Sequence, residues 1–158
     1  MTREQFISYV EASQEAFRRF LLALCCGNHA LADDIAQESY IKAYLASDRL
    51  TEPEKFNSWL RQIGYNTFIN QARALKASTD LDAAADIPAS EITDGAFQYE
   101  ALYAALRRMP DKERTAVILF YIDDYPIKKI ADIVGASQSA VKQHLSRGRA
   151  HLRGLLTK

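Results

Sequence analysis

Residues 130–153 read IADIVGASQSAVKQHLSRGRAHLR. The pattern is two short helices around a tight turn. Ala131 is small enough for a second helix to pack close, and Gly135, four residues on, supplies the positive φ that ends the first helix. Six further on, Val141 begins an apolar stripe continued by Leu145, Gly148 and Leu152, at the spacing of one helical face. The other face carries Gln138, Ser139, Lys142, Gln143, Ser146, Arg147, Arg149 and Arg153, and no Asp or Glu follows Ile133. Two amphipathic helices joined by glycine also occur in ordinary bundles. The one-sided charge separates the readings: a helix-turn-helix of this make lays its second helix in a DNA major groove.

The whole chain is not basic. Twenty Lys and Arg balance twenty Asp and Glu, for a net charge of +0. The balance is uneven along the sequence, and distribution matters more than the sum for a DNA footprint. Lys142, Arg147, Arg149, Arg153 and Lys158 crowd the end, while residues 77–100 carry six acids and no Lys or Arg. With 158 residues and 48% hydrophobic content the chain suits one or two small packed domains. No apolar run reaches membrane-spanning length, and the opening MTREQFISYVEAS lacks the pattern of a secretion signal. Cys25 and Cys26 are adjacent, so a mutual bridge would be strained. His29 follows them without a second Cys/His pair, which leaves a buried helical role rather than a metal half-site. The expectation is a soluble, reduced, cytoplasmic protein without metal or cofactor.

Taken in order, residues 3–26 place Phe6, Val10, Phe17, Phe20, Leu21 and Leu24 on one helical face, and Gly27-Asn28 ends the helix. Residues 30–46 form a second helix, with Leu31, Ile35, Ile41 and Leu45 read as inward and Asp34, Gln37, Glu38 and Lys42 as an outward polar face. A turn-rich loop, SDRLTEP, leads to Pro53, which opens a third helix to about residue 76. There Phe56, Trp59, Tyr65 and Phe68 alternate with Asn57, Arg61, Asn66 and Arg73. That interleaving suits stacking on unpaired bases, and it equally suits a core of Phe56, Trp59, Ile63 and Ile69 with a solvated polar face. Residues 77–95 lose periodicity and read as a flexible acidic linker. Helices resume at 96–108 and 110–123, and Pro126 opens the helix-turn-helix. No strand alternation persists. The fold class expected is all-α: two small helical domains, 1–76 and 96–158, joined by the linker at 77–95.

Four stretches together resemble the extracytoplasmic-function (ECF) group of bacterial sigma-70-type sigma factors: ADDIAQESYIKAY (32–44), KFNSWLRQIGYNTFINQAR (55–73), ALRRMPDKER (105–114) and IADIVGASQSAVKQHLSRGRAHL (130–152). The resemblance covers nearly everything but the linker. It departs at the first helix of the helix-turn-helix, where Pro126 and Lys129 replace the usual Ser/Thr-x-x-Glu cap, and at Asn70, Ser139-Ala140 and His144. These changes keep the architecture and bear on which promoter is read.

The resemblance implies a protein that is not an enzyme. It would bind RNA polymerase core, including the β′ coiled-coil and the β subunit, and carry it to promoter DNA. Asp34, Gln37, Glu38 and Lys42 match the family's core-binding positions in sigma region 2. Asp48, Arg49, Asn57, Trp59, Arg61, Asn66 and Arg73 match the part that holds the melted −10 element. In sigma region 4, Gln138, Ser139, Lys142 and Gln143 stand best for base edges of the −35 element, with Arg147, Arg149 and Lys129 on phosphates. An anti-sigma factor is an implied partner, with the partly apolar faces around Tyr121, Ile122 and Tyr125 suited to it or equally to packing in the protein's own hydrophobic core. The rival expectation is a helix-turn-helix regulator that does not join polymerase.

Overall fold

Capping chemistry sets where the helices begin. Thr2 accepts a hydrogen bond from the Gln5 amide at 3.1 Å while the Gln5 side chain accepts one from the Thr2 amide at 2.9 Å, a reciprocal box that starts α1 (Arg3–Leu24). The chain reverses through Cys26, at φ 54, and Gly27. The Asn28 side chain then accepts from the Leu31 amide and starts α2 (His29–Leu45). Two single 3-10 turns, Ser47–Arg49 and Pro53–Lys55, lead into α3 (Phe56–Thr79). The computed structural model describes residues 1–79 and 99–156. Residues 77–79 continue α3, and the rest of the expected linker lies outside the described residues.

The second set comprises α4 (Glu100–Arg107), α5 (Asp111–Val117), α6 (Ile127–Val134) and α7 (Gln138–Leu156). The single helix expected over 110–123 gives way after Val117 to a π-helical turn, Ile118–Ile122. There the Asp123 amide bonds back to Ile118 and the Tyr125 amide to Leu119, five and six residues behind. Gly135 takes φ 68 as expected and the Ala136 amide closes on Ala131, so α6 stops and α7 leaves at an angle. Ser137 caps α7 by accepting from the Ala140 amide. On α7 the apolar stripe is buried at Val141 and Leu145, and Gly148 lets the helix close on α5, since a Cβ there would sit 2.6 Å from Val117.

Among the described residues there is no strand. Phe17, Phe20, Leu21, Leu24, Ile35, Phe56 and Leu60 fill the space between α1, α2 and α3. Leu106, Met109, Ile118, Leu119, Ile130, Ile133, Val141 and Leu145 do the same for the second set. The two sets are joined in one continuous apolar core, with α3 against α6 and α1 against α4 and the π-helical turn. No helix among the described residues is long and apolar enough to cross a membrane.

Candidate nucleic-acid and protein interfaces

The helix-turn-helix offers its second helix to solvent. Val141, Leu145 and Gly148 anchor the buried side of α7, and Gln138, Ser139, Lys142, Gln143, Arg147 and Arg149 are all exposed on the opposite half. No carboxylate on α7 offsets their charge. Lys129, on α6, is half-buried. Arg149 Nη1 donates to the Tyr121 hydroxyl at 3.2 Å, so an exposed tyrosine from the π-helical turn aims this guanidinium. His151 Nδ1 lies 2.8 Å from the buried Glu113 carboxylate, which fixes the far end of α7 on α5.

The −10 candidates do not form one cluster. Trp59, Asn66 and Arg73 recur every seven residues and stand in one line along α3. Trp59 is half-buried with its ring tilted against Phe56, while Asn66 and Arg73 are exposed. Gln62, exposed on the same side, escaped the sequence reading. Asn57 is exposed near the start of α3, and Asp48 and Arg49 are exposed in the preceding turn. Arg61 stands apart from all of these: its side chain is 4% exposed and is turned to Asp123 and Tyr125, in the segment between the π-helical turn and α6.

On α2 two large apolar residues face the side opposite to the one expected. Ile41 and Leu45, expected to point inward, are 62% and 78% exposed, and Tyr44 is also exposed. The buried side is lined by Ala32, Ile35, Ser39 and Ala43. Beside Ile35 the buried side chains are small, which lets α2 lie close to α1 and α3, while Ile41, Tyr44 and Leu45 turn outward. Asp34, Gln37, Glu38, Ile41, Tyr44 and Leu45 then share about a third of the helix circumference at ~100° per residue. Lys42 sits at the edge of this face with its ammonium already held, 3.0 Å from Glu38 and 3.1 Å from the Thr67 hydroxyl of α3. A contiguous apolar surface bordered by carboxylates and an amide is the make of a protein interface.

Residues 9–78 match Sigma-70 region 2, and residues 99–152 match Sigma-70, region 4. The ECF RNA polymerase sigma factor SigW of Bacillus subtilis (strain 168) is 32% identical over 144 residues, spanning 80% of this chain and 76% of that protein. The chain belongs to the ECF RNA polymerase sigma factors. Its fold is similar to that of the sigma factor RpoE in complex with the anti-sigma factor NepR from Bartonella quintana, with a TM-score of 0.85 over 96% of both chains at 24% identity. It is also similar to CnrH in complex with the cytosolic domain of CnrY, with a TM-score of 0.73 over 99% of this chain and 90% of that one at 22% identity.

Three arginines of this sigma factor join region 2 to region 4, and none of these contacts was legible in the sequence. Arg61 Nε donates to Asp123 at 2.8 Å. Arg107 donates to the Cys26 carbonyl at 3.2 Å. Arg114, 2% exposed, donates to the carbonyls of Leu106 (2.8 Å), Met109 (2.9 Å) and Leu24 (3.4 Å) and to Asp111 (3.1 Å). The Arg of the ALRRMPDKER motif is therefore a clamp that gathers the α4–α5 turn and the end of α1. Both cysteines are buried beside it, and burial pushes their thiols up. Among the described residues no cluster of His, Cys, Asp and Glu is arranged to hold a metal ion.

Proposed function

We propose that this sigma factor divides its work among three helices. The α2 face of Asp34, Gln37, Glu38, Ile41, Tyr44 and Leu45 seats the coiled-coil of the polymerase β′ subunit. The loop around Asp48 and Arg49, together with α3, holds the melted −10 element. Gln138, Ser139, Lys142 and Gln143 of α7 read base edges of the −35 duplex while Lys129, Arg147 and Arg149 hold phosphates. The polymerase performs the chemistry, and the sigma factor acts in the cytoplasm as its initiation factor. By analogy with the complexes of its structural relatives, an anti-sigma factor is a further partner, and the exposed Tyr121 and Ile122 offer it a surface.

The observation that carries this reading is the outward apolar half of α2. A regulator that never joined polymerase would leave Ile41, Tyr44 and Leu45 without a purpose. Leu45→Asp changes a side chain that is 78% exposed, so folding should shift by no more than about 0.5 kcal/mol. Burying that leucine against a partner is worth about 1.5–3 kcal/mol, so core affinity should fall by about 10–150-fold. Fluorescence titration of labelled sigma factor with core polymerase reads the change, and run-off transcription should fall in parallel. Unchanged core affinity would remove α2 from the interface.

A further inference from the structure

We infer that Thr67, a buried residue of α3, is a positioning residue for polymerase binding: through Lys42 it holds the Glu38 carboxylate in the rotamer that the core enzyme meets. The inference deepens the reading of α2 as the core-binding face and rests on it. Three contacts in series carry it. The Thr67 hydroxyl donates to the Ile63 carbonyl at 2.8 Å. With that proton committed, the hydroxyl oxygen is left as an acceptor, and the Lys42 ammonium donates to it at 3.1 Å. The same ammonium lies 3.0 Å from Glu38 Oε2, four residues back on α2.

A lysine and a glutamate on a helix surface rarely keep one geometry, because both side chains are long and water competes for both charges. Here the two side chains are 43% and 46% exposed, but their anchor is not. Thr67 is fully buried, and a β-branched side chain is stiff about χ1. Its hydroxyl therefore gives the ammonium a fixed point beneath the surface, and the lysine becomes a strut from α3 to the carboxylate. Glu38 stands among the exposed Asp34, Gln37, Ile41 and Leu45. A carboxylate accepts from a second donor while it holds the first, so Glu38 stays able to bind a basic group of the partner. A side chain already in its bound rotamer loses less freedom on association, and affinity rises accordingly. Thr67 lies 25 residues from Lys42 in sequence and is out of reach of any partner, so it acts only through the strut.

The test compares Thr67→Val with Thr67→Ser in the full chain, because the pair separates the hydroxyl from the packing. Valine keeps the shape and removes the acceptor. It should change the urea midpoint little and weaken binding to core polymerase about 3–10-fold, the range expected when one long side chain must be ordered on association. Serine keeps the hydroxyl and loses a buried methyl group, so it should lower the urea midpoint while core affinity stays near that of the wild type. A purely structural role would make affinity follow stability, the reverse order. In a Glu38→Gln chain, Thr67→Val should have no further effect on affinity, since the strut then has no charge to hold. If Thr67→Val does not fold, Lys42→Gln takes its place. A strut makes that loss depend on Glu38, whereas direct contact between Lys42 and polymerase makes it the same with and without Glu38→Gln. Wild-type core affinity in Thr67→Val, or equal losses in the valine and serine variants, would overturn the inference. Leu45→Asp, measured alongside, keeps the two readings apart. If it weakens core binding while Thr67→Val does not, α2 remains the core-binding face without the strut; if neither does, both readings fall.

Discussion

Arg114→Ala should unfold this sigma factor more readily than any single change on its surface. The side chain is 2% exposed and serves three carbonyls and one carboxylate. Truncation strands acceptors that water cannot reach, at about 1–3 kcal/mol for each buried group left unsatisfied. The Leu106 carbonyl keeps the Met109 amide as a second donor, and Asp111 is partly exposed, so neither suffers the full penalty. The Met109 carbonyl, the Leu24 carbonyl left with only the weak Cys26 thiol donor at 3.9 Å, and the lost stem packing remain. Together these come to about 3–5 kcal/mol, a large share of the ~5–15 kcal/mol that stabilises a typical domain. At ~2–4 °C per kcal/mol for a chain of this size, the midpoint should fall by about 10–15 °C. Calorimetry and urea unfolding of the full chain would measure it, with Arg114→Lys expected to lose roughly half as much because one ammonium cannot reach every acceptor. A loss under about 1 kcal/mol for Arg114→Ala would show that the network is dispensable and the reasoning wrong.

Lys142→Ala and Gln143→Ala should each weaken binding to the cognate −35 duplex by about 1–3 kcal/mol while leaving unrelated DNA unaffected, measured by fluorescence anisotropy with the holoenzyme. Arg149→Ala should weaken all duplexes alike and reduce the salt slope by about 1, and Tyr121→Phe should reproduce part of that loss by releasing the guanidinium. Burial raises both thiols at Cys25 and Cys26, so the folded chain keeps protons that the unfolded chain has given up. Their contribution is therefore intact below an unfolded thiol pKa of about 8.5 and declines as pH rises beyond it. Urea midpoints between pH 7 and 9.5 should fall for the wild type and flatten in the Cys25→Ala/Cys26→Ala variant.

The helix-turn-helix was legible because its determinants are local. Gly135 needs only its own φ, and the stripe of Val141, Leu145 and Gly148 needs only the helical period. The burial of Arg61 was not legible for the opposite reason. Nothing near it in sequence announces Asp123, and a lone arginine between asparagines reads as surface until a distant carboxylate covers it. The break at Ile118 likewise depends on packing among regions far apart in the chain, so the apolar run ILFYI read as a plain continuation of α5. On α2 the rule that large apolar side chains go inside held at Ile35 and failed at Ile41 and Leu45, because the rest of the close contact is taken by the small Ala32, Ser39 and Ala43. The candidate −10 residues were chosen by type as aromatic, amide and cation, and only three-dimensional placement sorts Trp59, Asn66 and Arg73 into one line and Arg61 into another.

The reversed packing of α2 has a consequence for how substitutions are tolerated. A scan scored on folding alone should accept acids at Ile41 and Leu45 and reject bulk at Ala32, Ser39 and Ala43, the inverse of what a hydropathy plot would rank. A scan scored on growth should reject both sets. The positions where the two scans disagree would outline the contact surface without any complex being solved.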